Sequence, residues 1–323
     1  MTRQEALSAF QDEELCLFEE KKEQFIVGLE EKAEEFSVSV RQVLSVLRKE
    51  IVKKKKEKIM FIYFSLLRAD MLNDHYQVLV RAMDANWHMD EDAAETTFSI
   101  DYLFEPVKEL KEKLELDRRK YMGKVNSYDV VNMIQDCAME WNQILSLQLH
   151  YMFRDMEENE DFAQIPKHST WGIYWGEYRD ESELVAFADR EKKEQKDWDR
   201  CLRLSKEQEE VMINKFWYEA DLKDSDCSNK LLLFSQFENC DLTGVCFDGA
   251  DLTGVQFRNC IIKKCSFINA TMRQSDFSNC TWEENDFTGA DVENAVFQEK
   301  DIPFLHLDPQ QLQVIFVDRR EME

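Results

Sequence analysis

Three cysteines, Cys240, Cys260 and Cys280, recur at intervals of twenty residues, with Cys265 close by. Regularly spaced thiols suggest soft-metal ligands. The competing reading is a small hydrophobe placed where only a small side chain fits. No Cys-x-x-Cys occurs, and nine cysteines without a leader segment point to a reducing compartment rather than a disulfide framework. The five histidines, at 75, 88, 150, 168 and 306, form neither His-Glu-x-x-His nor His-x-His. His88 with Asp90, Glu91 and Asp92 carries metal-ligating atoms, but the acids are adjacent in sequence and read as an exposed loop. With eight glycines in the chain there is no phosphate-cradling loop, and among 66 acids no catalytic carboxylate pair stands out. The expectation is a non-enzymatic protein without cofactor or metal.

One further constellation has binding chemistry. Trp171, Tyr174, Trp175 and Tyr178 fall within eight residues that also hold two glycines. Indole and phenol rings supply rigid contact area with polar edges, which suits a ligand or peptide groove. The alternative is a loop packed on neighbouring helices.

The element that positions the cysteines has an unusual period. From Leu222 to Leu307 an apolar residue recurs at every fifth position without a slip. The series includes Phe237, Leu242, Phe247, Leu252, Phe257, Ile262, Phe267, Met272, Phe277, Trp282, Phe287, Val292 and Phe297, the expected solenoid core. A period of five matches neither a helix nor a strand, so the segment must be a repeat architecture. The residue two before each apolar one is usually small, and Gly or Asn marks the corners between units.

Written as units, ADLKD, CDLTG, ADLTG, ATMRQ, SDFSN, NDFTG and ADVEN resemble the A(D/N)Lxx consensus of the pentapeptide-repeat family. The resemblance covers about 220 to 307, a quarter of the chain. It implies a right-handed quadrilateral β-helix with four units per coil, here four to five coils. Residues twenty apart would then stack, giving one column of Phe237, Phe257, Phe277 and Phe297 and an opposite column of Phe247, Phe267 and Phe287. Cys240, Cys260 and Cys280 would share a small-residue column. Lys230, Lys300 and the small Cys227 depart from the pattern.

Residues 1–219 are a different material, rich in Lys, Glu and Leu and nearly free of glycine. They are expected to form a mainly α-helical domain, followed by the solenoid at 220–308 and a C-terminal cap or tail at 309–323. Long helices are expected over 3–55, 127–156 and 182–202. In the second, Val130, Met133, Cys137, Trp141, Ile144, Leu147 and Tyr151 make a core stripe. The β-branched and aromatic content of 76–83 and 96–102 suits a small β-hairpin. Phe216, Trp217 and Tyr218 are expected to plug the N-terminal end of the tube, and 307–318 to seal the other. Lys53 to Lys58 reads as a solvated helix end, and the apolar run after it is far too short to span a membrane.

The net charge of −25 disfavours direct nucleic-acid binding, which rests on neutralising phosphates. It permits a DNA mimic, the role that the family resemblance implies for its quinolone-resistance members acting on gyrase. Residues 220–302 carry fifteen acids against seven bases, and the outward Asp residues are spread over all four expected walls. The leading expectation is therefore a bacterial, cytoplasmic interaction or scaffold protein with a protein partner, and a topoisomerase inhibitor or protector is the alternative. Arg258, Lys263 and Lys264, where the acidic pattern is interrupted, are contact candidates beside Trp171, Tyr174, Trp175 and Tyr178. A dimer through the C-terminal segment is compatible with the pattern.

Overall fold

The computed structural model describes residues 1–153 and 156–319, with the side chains of Leu147 and Tyr151 outside the described set, as are residues 320–323 of the expected tail. The chain is mixed α and β and divides into two compact units, Met1–Phe187 and Ala188–Glu323. This division lies upstream of the change in composition near residue 219.

The first unit contains α1 (Arg3–Glu31), α2 (Ala33–Lys53), β1 (Ile59–Leu66), α3 (Arg68–Met71), β2 (Gln77–Met83), β3 (Ala94–Ser99), α4 (Glu105–Asp117), α5 (Ser127–Met152), α6 (Glu160–Ala163), β4 (Lys167–Glu177) and β5 (Ser182–Asp189). The five strands form one sheet in the order β3-β2-β1-β4-β5, with β1 parallel to β4 and antiparallel to β2. The helical N-terminal region expected from the sequence is there, and its helices are built around this sheet, of which only one hairpin was expected. The hairpin of β2 and β3 is there, but it is two strands of a five-stranded sheet.

Two further segments read as loop and helix in the sequence are strands of this sheet. Trp171 to Trp175 alternates large aromatic and aliphatic side chains between two faces, and Ser182–Asp189 alternates Leu184 and Ala186 with Val185. The expected helix over 182–202 therefore begins only at Gln195. Its charged flanks mimic a helix, whereas pairing within the sheet decides the outcome.

Helices cover one sheet face. Phe64 of β1, Phe98 of β3 and Trp175 of β4 meet Phe36 of α2 and Phe153 just beyond α5. Beneath them, Phe25 of α1 lies between Phe104 and Trp141, with ring centroids 5.2 and 5.1 Å away. Burying aromatic rings of this size contributes about 1.5–3 kcal/mol each relative to exposure. The basic run is structural: Lys54 holds Asp92 and the Ala93 carbonyl, and Lys56 reaches Asp84 and the buried Asp90. The loop between β2 and β3 is thereby tied to the end of α2.

In the second unit, α7 (Gln195–Leu204) precedes a run of three-residue strands: β6 (Phe216–Tyr218), β7 (Gln236–Glu238), β8 (Gln256–Arg258), β9 (Ile261–Lys263), β10 (Thr281–Glu283) and β11 (Val296–Gln298). Then come α8 (Ile302–Leu305), α9 (Gln311–Val314) and β12 (Phe316–Asp318). Among the described residues of this unit the strand pairings are parallel and join residues twenty apart, from Phe216 with Gln236 to Val296 with Phe316. Isolated bridges such as Asp241 with Ile261 continue the same register between strands.

Phe237, Phe257, Phe277 and Phe297 are buried and stack with centroids 4.9–5.0 Å apart and planes within 9°. Phe247, Phe267 and Phe287 stack likewise at 5.0–5.2 Å. Leu242, Leu252, Ile262, Met272, Trp282 and Val292 are buried between them. At the corners the backbone takes positive φ. Gly254 suits its corner, where φ is +67° and a Cβ would lie 2.5 Å from the Phe234 ring one rung earlier, so that a larger residue would have to displace that ring.

The ends of this coil are closed by different devices. Phe216 to Tyr218, expected as the N-terminal plug, is instead the first rung. Trp198 of α7 is the plug: its ring meets Trp217 edge-on at 4.8 Å, and its indole N–H donates to Ser225 Oγ at 2.9 Å. At the other end Gln311 Nε2 donates to the carbonyls of Phe287 and Ala290, at 2.8 and 2.9 Å, where a further rung would otherwise pair. Unpaired carbonyls there would carry a desolvation penalty.

Asp301 is buried beside this closure. Burial pushes its carboxyl above the usual range, and Lys300 and the Trp282 indole offset this only in part. A raised folded-state value favours the protonated form. The stabilising contribution is thus complete below the unfolded value of 3.8 and is lost as pH rises through the folded one. Asp301→Asn should therefore melt at a higher temperature than the wild type at pH 7, with the gap closing as the pH approaches 4. Calorimetric scans across that range check it; a gap that widens on acidification refutes the sign.

Candidate interaction surfaces

The four aromatics of the 171–178 segment do not line one groove, because β4 sends them to different places. Trp171 is buried against Phe162 of α6, edge-to-face at 5.1 Å. Trp175 is buried on the same face, and its indole N–H donates to Asn142 Oδ1 of α5 at 2.8 Å. Tyr174 points to the other face and stacks on Tyr63 at 4.6 Å with planes 9° apart. Tyr178 lies past the strand, 38% exposed, with the Arg179 guanidinium over its ring.

Trp175 does border a cleft. Between α5 and the β4–β5 hairpin is a space of about 940 Å³, with Asn142, Ile144 and Ser146 on one wall and Trp175, Gly176 and Glu183 on the other. Gly176, on its wall, allows the two sides of the hairpin to approach closely, since a Cβ there would lie 2.2 Å from the Glu181 carbonyl oxygen. Glu183 is fixed by two donors: Ser146 Oγ at 2.5 Å, and His150, whose Nε2 is 3.1 Å away. The hydrogen bond to His150 holds the Glu183 carboxyl below the usual range, although burial opposes it. Sequence reasoning missed this cluster because Ser146, His150 and Glu183 meet only through the packing of α5 on the hairpin.

On the coil wall, the contact candidates are already engaged. Lys263 Nζ is 2.7 Å from Glu283 and Lys264 Nζ 3.9 Å from Glu284, each pair one rung apart. Arg273 repeats the motif with Asp291 and Glu293. Arg258, half-buried on β8, is not free either. Exposed pairs of this kind contribute little to stability, but they pair off the cations at which the acidic pattern is interrupted.

The cysteines are packing groups. Cys240, Cys260 and Cys280 are buried, and each thiol donates to a carbonyl of the preceding rung, at Trp217, Phe237 and Phe257. Burial pushes the Cys265 thiol up to about 12, so a reactive thiolate is disfavoured. His88 stacks on Trp87 and Tyr63, while Asp90 is occupied by Lys56 and two backbone N–H groups. Among the described residues no group of three or more His, Cys, Asp or Glu side chains is arranged to hold a metal ion.

The family model described as "Pentapeptide repeat region" matches residues 232–307, the part of the chain that pairs at intervals of twenty. Residues 232–307 are a pentapeptide repeat region. Solved pentapeptide repeat proteins are similar over this part of the chain. One, Rfr23 from the cyanobacterium Cyanothece 51142, is 23% identical with a TM-score of 0.21, covering 26% of this chain and 62% of its own. Another, from the Arabidopsis thaliana thylakoid lumen, is 18% identical with a TM-score of 0.15, covering 28% and 71%. QnrB1, a plasmid-mediated fluoroquinolone resistance protein, is 12% identical with a TM-score of 0.13, covering 26% and 69%. This chain thus spans under two thirds of the Cyanothece protein, and the likeness concerns the pentapeptide repeat alone. No curated protein matches the chain. Among the described residues no helix is long and apolar enough to cross a membrane.

Proposed function

We propose that this is a non-enzymatic bacterial interaction protein of the cytoplasm, with residues 220–308 wound as a right-handed quadrilateral β-helix of four to five coils. In this reading residues 309–323 cap the helix, and residues 1–219 supply the N-terminal domain together with the segment that closes the first coil. The observation that carries the reading is the filled interior of the coil. Two stacks of phenylalanine and the columns between them, from Leu242 to Val292, are buried at 0–7% exposure, leaving its outer surface as the part able to meet another molecule. Rigid repeat surfaces of this kind bind with little backbone ordering cost.

A mimic of DNA needs a continuous acidic wall. The ion pairs of Lys263, Lys264 and Arg273 interrupt one here, so the topoisomerase reading has less support. The test is chemical cross-linking of the full chain in its native cell, followed by mass spectrometry. Recovery of the same protein partner through lysines of this chain is expected, and supercoiling by gyrase should be unchanged at micromolar protein. Absence of any reproducible partner, or potent gyrase inhibition, overturns the proposal.

A further inference from the structure

The cleft between α5 and the β4–β5 hairpin has a size suited to a side chain or small ligand. Its chemistry is one-sided. Glu140, Glu177, Asp180, Glu181 and Glu183 line it, and no lysine or arginine among the described lining residues does. Outside the rim, Lys22 pairs with Glu140, and Arg68 is shared by Glu177 and Asp180. Five carboxylates are therefore answered by two cations. The floor is not polar throughout, since half-buried Ile144 contributes apolar surface.

We propose that this cleft receives a lysine or arginine side chain from a basic peptide segment of a protein partner, with the alkyl stem against Ile144 and the cationic head at Glu183. The inference rests on the interaction reading above and adds the chemistry of the partner. Glu183 is the anchor because Ser146 and His150 fix its carboxylate before any ligand arrives, so little ordering is left for binding. Its depressed protonation range keeps it charged near neutral pH. A charge-assisted pair at a fixed, half-exposed carboxylate is the strong kind of hydrogen bond.

The probe is an acetylated, amidated tri-arginine peptide titrated calorimetrically into the full-length protein. Glu183→Gln keeps an acceptor for Ser146, and Asp180→Asn alters an exposed turn, so a melting scan can show that both remain folded. The control is Glu209→Gln with Glu210→Gln, two exposed acids far along the chain. The expected result is binding by the wild type, a dissociation constant about tenfold higher in each cleft variant, and a change under about twofold in the control. An indole N–H signal of Trp175 that shifts with peptide supports the same conclusion. Equal weakening in cleft and control variants means diffuse attraction to an acidic protein and overturns the proposal, as does no binding below about 1 mM. If cross-linking recovers a partner while the peptide test fails, the interaction reading stands and this inference falls.

Discussion

Phe257→Asp should unfold the repeat region. Phe257 is fully buried between Phe237 and Phe277, with ring centroids 5.0 and 4.9 Å away. Removing a core phenylalanine alone costs about 3–5 kcal/mol, and an unpaired buried carboxylate adds several more. The sum rivals the whole stability of an ordinary domain, about 5–15 kcal/mol. Arg258→Gln, one residue along on the outer wall, should stay within about 0.5–1 kcal/mol of the wild type. Circular dichroism during thermal unfolding distinguishes them. Similar losses in the two variants would falsify the assignment of Phe257 to the interior.

The second large effect concerns the closure of the first rung. Trp198→Ala removes a ring that meets Trp217 at 4.8 Å and Phe237 at 6.2 Å, together with the hydrogen bond to Ser225. Loss of about 3–5 kcal/mol is expected. It should come with a change of state, because β6 would present an uncovered strand edge, and such edges recruit other chains. Size-exclusion chromatography should show higher oligomers in the variant than in the wild type, while Trp198→Phe elutes largely as the wild type does. An unassociated Trp198→Ala protein with unaltered melting would show that α7 is dispensable for the closure.

How much could be read beforehand depended on whether a signal was local. In the repeat, each inward position declares itself within five residues, so the columns containing Phe257 and Phe267 follow from counting. Trp198 carried no such mark: it lies outside the period, and its role arises from α7 folding back on the first rung. In the first unit the charged surroundings of β5 imitate a helix, and only pairing with β4 makes it a strand. The aromatic segment at 171–178 was conspicuous by composition, yet strand alternation splits it, and only Trp175 reaches the cleft. The anchor of that cleft, Glu183, was one acid among 66. Its distinction is tertiary, conferred by Ser146 and His150.

Backbone pairing at a fixed interval of twenty makes the second unit a molecular ruler. An insertion or deletion of one whole interval should change only its length, leaving every downstream side chain on its original face. A loss of five residues would keep large and small positions in phase but turn everything beyond the lesion onto the neighbouring face, and if it fell between Ala290 and Gln311 it would carry Gln311 away from the two carbonyls it serves. Relatives of different length are thus expected to differ by complete intervals wherever the same closing segment is kept.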